Sequence, residues 1–129
     1  MDYKKLVQEA FRDVFENDKF SEKVISKYFH PEYKQYVDGK ELNYKQFLDH
    51  MKHLKEAIYS AKINFHHLIS ENNGVCSVHT ASGLKHNGTS VKAKVIAYFE
   101  IKDERIVLCD ELSYMIEGDE QDRDLASRH

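Results

Sequence analysis

Between Ser90 and Lys102 every second residue is apolar: Val91, Ala93, Val95, Ala97, Phe99 and Ile101 share one side, while Lys92, Lys94 and Glu100 fall on the other. A period of two predicts a strand with one face in a core. Ile96 and Tyr98 make the outer side partly apolar as well. A run from Val75 to Ala81 precedes this strand, closed by Gly83 and the turn-rich Lys85-His86-Asn87-Gly88. After it, Lys102-Asp103-Glu104-Arg105 predicts a tight hairpin and Ile106 to Ile116 the returning strand. Upstream, Ala61, Ile63, Phe65, His67 and Ile69 alternate with Lys62, Asn64 and His66, a fourth strand carrying His67 on its apolar side and ending at Asn72-Asn73-Gly74. Strands of eleven residues or more are long, and long strands curl. The expectation is a concave sheet face able to hold a guest.

The first half has a helical period. Tyr3, Leu6, Val7, Ala10, Phe11, Val14 and Phe15 form one stripe, predicting a helix from Asp2 to Glu16. Ser21 can cap a second helix with Val24, Ile25, Tyr28 and Phe29 on its apolar face, and Pro31 forbids continuation past His30. Tyr33 to Val37 reads as a short strand closed by the turn dipeptide Asp38-Gly39. The third helix carries a full start signal, with Asn43 as cap, Gln46 reaching back, and Leu42 and Phe47 as a hydrophobic staple. Phe47, Met51, Leu54 and Ile58 make its buried stripe; His50 falls on the flank and His53 turns towards water.

The predicted architecture is α+β: three N-terminal helices (residues 1–58, with a strand near 33–37) packed on a strongly curved, mainly antiparallel sheet (61–118), followed by a charged tail (119–129) anchored at Leu125. At 129 residues this is one domain. A net charge of -3 supplies no positive field for nucleic acid or an anionic membrane. The apolar runs are too short to span a bilayer, and the charged amphipathic start does not read as a signal peptide, so a cytoplasmic protein is expected. Cys76 and Cys109 lie inside predicted strands without CxxC spacing, as buried reduced thiols do.

The element order, together with Tyr28-Phe29-His30-Pro31-Glu32-Tyr33, Asp38-Gly39, Lys102-Asp103-Glu104-Arg105-Ile106-Val107, Asp110-Glu111-Leu112 and the stretch from Gly118 to Leu125, resembles the SnoaL-like branch of the nuclear transport factor two-like superfamily. The resemblance covers nearly the whole chain. It implies a cone-shaped fold, an apolar pocket between sheet and helices, and commonly a homodimer through the outer sheet face. Relatives include polyketide cyclases, ketosteroid isomerase, dehydratases and non-catalytic binding or assembly modules. In the isomerase-type relatives an aspartate base follows the second helix and a protonated acid stands on the penultimate strand; here those positions correspond to Tyr36 and Ala97. Neither supplies that chemistry. In the cyclase-type relatives a histidine on the strand after Gly74 pairs with an aspartate on the last strand, and the nearest residues are Lys85 or His86 and Asp110 or Glu111.

Read from the residues alone, Glu111, His67 and Tyr36 are the catalytic candidates, because a carboxyl in an apolar pocket keeps its proton to higher pH and a neighbouring imidazole or phenol can share it. Tyr33, Phe47, His50, Val95, Phe99 and Cys109 are the expected ligand-binding wall. Plainer roles compete with each: a surface carboxylate paired with lysine for Glu111, a core hydrogen bond for His67, helix packing for His50, an aromatic wall for Tyr36. The last strand also has two apolar parities, since Ile106, Leu108, Leu112 and Tyr114 on the even side would bring Asp110 inward instead of Glu111. Eight histidines show no metal-ligand spacing, so neither metal nor other cofactor is expected. The expected partner is a small apolar or cyclic molecule, and catalysis by proton transfer stands beside pure binding or assembly.

Overall fold

A computed structural model of the protein describes residues 1–118; the charged segment from Asp119, with Leu125, lies outside the described residues. The order is α1 (Tyr3–Ala10), a π-helical turn (Phe11–Phe15), α2 (Glu22–Tyr28), β1 (Phe29–Val37), β2 (Lys40–Asn43), α3 (Tyr44–Ala57), β3 (Ile58–Glu71), β4 (Gly74–Lys85), β5 (Ser90–Lys102) and β6 (Arg105–Glu117). All six strands form one sheet in the order β2-β1-β6-β5-β4-β3. Among the described residues only β1 and β6 pair in parallel. The α+β layout is as expected, and the short strand at 33–37 proves to be the end of a nine-residue strand with its own hairpin partner.

Two expectations change. The sheet is open, with β2 and β3 as its edges, and it is neither closed nor strongly curled. Bending is local, at single extra residues that interrupt the pairing. His66 is unpaired between Phe65↔His79 and His67↔Val78, and Val107 between Leu108↔Glu100 and Ile106↔Ile101. Pro31, which cannot donate to a ladder, sits in the irregular stretch of β1 between Phe29 and Lys34. The first helix is also not uniform. Past Ala10 it widens so that Glu16 N–H reaches Phe11 O at 2.9 Å, and Phe11 and Phe15 lie ring to ring with centroids 4.6 Å apart.

The helices close over the inner sheet face through a shared core. Phe29, Tyr33 and Phe47 contact each other with ring centroids 4.8 Å apart, and Val7, Ala10, Met51, Val75 and Ile106 are fully buried around them. Edge strand β3 is tied to this layer where Ile63 N–H donates to Glu16 Oε2 at 2.9 Å. The start of α3 is written as predicted: Gln46 N–H donates to Asn43 Oδ1 and Asn43 N–H to Gln46 Oε1, both at 2.9 Å, with Leu42 and Phe47 buried alongside. Asn43→Ala removes one of these bonds and orphans a helical N–H, so urea unfolding should show a loss of about 1 kcal/mol with an unchanged denaturant slope.

Candidate functional site

The hollow lies between the inner sheet face and the helices and measures about 460 Å³. Phe11 and Phe15 of the π-helical turn and His50, Leu54 and Lys55 of α3 form its roof. Its floor comes from inward residues of five strands, among them Tyr33, Gln35, Ile63, His79, Val95, Phe99, Cys109 and Glu111. Exposed Asp18, Tyr59, Lys92 and Tyr114 stand at its mouth. A volume of this size accommodates a small-molecule ligand.

Which residues of β6 reach the hollow is decided by Val107. On the Arg105 side of the bulge the even-numbered Ile106 is fully buried; beyond it the inward set becomes Cys109, Glu111, Ser113 and Met115. One unpaired residue shifts a period of two by one place, which is why both parities of this strand look apolar in sequence. Glu111 thus faces inward beside its cross-strand partners Val37 and Ala97, while Asp110 points outward and is exposed.

Glu111 is half-buried and its carboxyl is pushed up to about 7 by desolvation, with a smaller contribution from the negative charge of Asp38. The Cys109 thiol, donating to Glu111 Oε1 at 3.6 Å, works in the opposite direction and outweighs the Asp38 charge. Burial raises the Cys109 thiol itself well above its ordinary value, so it is a hydrogen-bond donor here and not a nucleophile. Tyr33, also raised by burial, donates its hydroxyl to Gln35 Oε1 at 2.8 Å. These side chains make a short polar strip across an otherwise apolar floor.

A second polar strip crosses β4. His79 is buried between Phe11 and Phe65, with ring centroids at 5.1 and 5.4 Å, and its Nδ1 pairs with Ser77 Oγ at 2.9 Å. Desolvation lowers it to about 4, so the imidazole is neutral at physiological pH. At the mouth, Lys55 Nζ donates to the carbonyls of Phe15 and Asn17, closing the end of the π-helical turn; burial brings it down to about 8.

Set against the sequence expectations, Glu111, Tyr33, His50, Val95, Phe99 and Cys109 all line the hollow. His67 does not. The bulge at His66 turns the strand over, leaving His67 exposed on the outer face opposite Val78 and bringing Leu68 inward. Tyr36 faces outward too, paired with Asp110, and its hydroxyl donates to Glu41. Gln35, its neighbour, takes the inward place. Phe47 lies behind Tyr33 and Phe29 as core and does not touch the hollow. Cys76, expected to be buried, is exposed. His79, Gln35 and Asp38 were missed. His79 was legible, since it shares parity with the inward Val75 and Ser77; Asp38 reads only as turn chemistry.

The match to the family described as "SnoaL-like domain" runs from residue 7 to residue 109. The chain belongs to the SnoaL-like family. This SnoaL-like chain is 40% identical over 97 residues, 75% of either sequence, to an uncharacterized protein of Schizosaccharomyces pombe. Its fold is similar to that of AclR of Streptomyces galilaeus, provisionally named a hydroxylase (TM-score 0.72, 15% identity, 88% of this chain and 76% of AclR). It is also similar to an LEH-like epoxide hydrolase of M. tuberculosis (0.71, 16%, 85% and 80%). A third likeness is to a provisionally named SnoaL-like polyketide cyclase of Jannaschia (0.67, 11%, 88% and 88%). These three structures share the fold of this chain. Among the described residues no cluster of three or more His, Cys, Asp or Glu is arranged to hold a metal, and no helix is long and apolar enough to cross a membrane.

The two shifted groups give opposite pH slopes. Glu111 binds its proton more tightly folded than unfolded, so its contribution is intact below about 4.5 and is lost as pH rises through about 7. His79 binds its proton less tightly folded, so stability is lost as pH falls from about 6.5 towards 4. Glu111→Gln removes only the first effect. Chemical unfolding from pH 4 to 8 should find the variant gaining on the wild type as pH rises, by on the order of 2 to 3 kcal/mol at pH 8.

Proposed function

We propose that this chain binds an apolar or cyclic small molecule in its hollow and that Glu111 exchanges a proton with it as a general acid/base. The observation that carries this reading is the Glu111 carboxyl lying inward on an apolar floor, where burial pushes it up to about 7, a range in which one group can both give and take a proton. Aromatic walls from Phe11, Phe29, Tyr33 and Phe99 suit a ring-shaped guest. The named activities of structurally similar proteins, an epoxide hydrolase and a SnoaL-like polyketide cyclase, are compatible with a cyclic substrate here. Tyr33 and Gln35 orient the guest beside Glu111, and His50 takes the facing position on the roof. His79, neutral and wedged between rings, shapes the wall. Two free thiols fit a reducing compartment such as the cytoplasm.

A second reading is favoured by the outer sheet face. Ile96 and Leu112 are 60% and 67% exposed and are direct cross-strand partners. An apolar patch of this kind suits self-association, making the chain a homodimeric assembly module with an incidental hollow. Tyr98 contributes less than its sequence position suggested, because its ring lies against Gly74 and its hydroxyl donates to Glu100.

A thermal-shift screen of uncharged ring compounds separates the readings. Under the first, at least one compound stabilises the wild type and loses most of that effect in Glu111→Gln, while Leu112→Lys binds as before. Under the second, sedimentation shows Leu112→Lys turning a dimer into a monomer, and no compound distinguishes wild type from Glu111→Gln.

A further inference from the structure

We infer that Asp38 is a positioning residue for Glu111: its carboxylate, pinned by Ser113, reinforces the burial that keeps Glu111 neutral inside the hollow. The inference rests on Glu111 being the working group of the site. Asp38 sits in the β1–β2 turn with φ 52°, and its N–H donates to the backbone carbonyl of Glu111 at 3.0 Å. Its two carboxylate oxygens are held separately, Oδ1 by Ser113 N–H at 2.7 Å and Oδ2 by Ser113 Oγ at 2.6 Å. Glu111 and Ser113 project from the same face of β6 two residues apart, a separation of roughly 7 Å along the strand.

A surface carboxylate free to swing would move out into water and be screened. Two hydrogen bonds from one residue instead fix this one over the end of the hollow where Glu111 stands. Like charges oppose each other, so a fixed Asp38 anion favours the protonated, neutral form of Glu111. The other groups around Glu111 do not duplicate the effect. From β6 the Cys109 thiol donates to it, from β1 Tyr33 and Gln35 are uncharged, from β5 its partner is Ala97, and from α3 His50 lines the same hollow. Asp110 is next in sequence but points to the other face. A turn that reads in sequence as simple chain reversal therefore carries a second role.

The test is the titration of the Glu111 side-chain carboxyl carbon by NMR in the ligand-free full chain, with the resonance assigned by its absence in Glu111→Gln. Asp38→Asn and Asp38→Gly both accept a positive φ and both remove the charge. The expected result is a midpoint lowered by about one pH unit in each, and a midpoint unchanged in Asp110→Asn. An unchanged midpoint in the folded Asp38 variants overturns the inference, as does an equal fall in Asp110→Asn. Because no ligand is present, failure here leaves the ligand-binding result with Glu111→Gln standing, and failure of that binding leaves this titration standing.

Discussion

One unpaired residue in the last strand governs the rest of the site. Side chains of a strand alternate faces without exception, so the face occupied by Glu111 follows from counting residues between it and the hairpin. Val107 adds one to that count. Before it the strand feeds Ile106 to the core; after it, Cys109, Glu111 and Ser113 enter the hollow and Asp110 and Leu112 go outward. The desolvation of Glu111, its thiol donor, its proximity to Asp38 and the apolar outer patch all descend from that single insertion.

The bulge at His66 does the same for β3, with the opposite consequence for chemistry. It takes His67 away from the hollow and gives His66 Nε2 to Thr80 Oγ1 at 2.7 Å on the outer face. Irregularity rather than overall curl is thus what shapes this sheet. The helical layer answers with an irregularity of its own, the π-helical turn that sets Phe11 and Phe15 side by side over the floor while Lys55 donates to its last carbonyl, that of Phe15. Polar demands that a buried chain end would leave open are met by side chains already at the mouth.

Much of the fold was legible because its signals are local. The cap at Asn43, the turns at Asp38-Gly39 and Asp103-Glu104 with their positive φ values, and the unbroken alternation of β5 each depend on a few adjacent residues. On regular elements the alternation carries through, and Val95, Phe99 and His50 line the hollow. What could not be read were the consequences of bulges, because the extra residue leaves no mark in composition and is fixed by pairing with a distant strand. Glu111 was therefore open between two faces, and His67 and Tyr36 were assigned to the wrong ones. Asp38 illustrates a different limit: its contact with Ser113 joins residues 75 positions apart.

The chemistry of the hollow depends on the direction of the Glu111 side chain, and nuclear Overhauser contacts in the carbon-labelled protein report that directly. Contacts from the Glu111 methylene protons to Val37 and Ala97 are the predicted result, with none to Tyr36 or Ile96. Contacts to Tyr36, Ile96 and Tyr98 instead would put the carboxyl on the outer face and contradict the account.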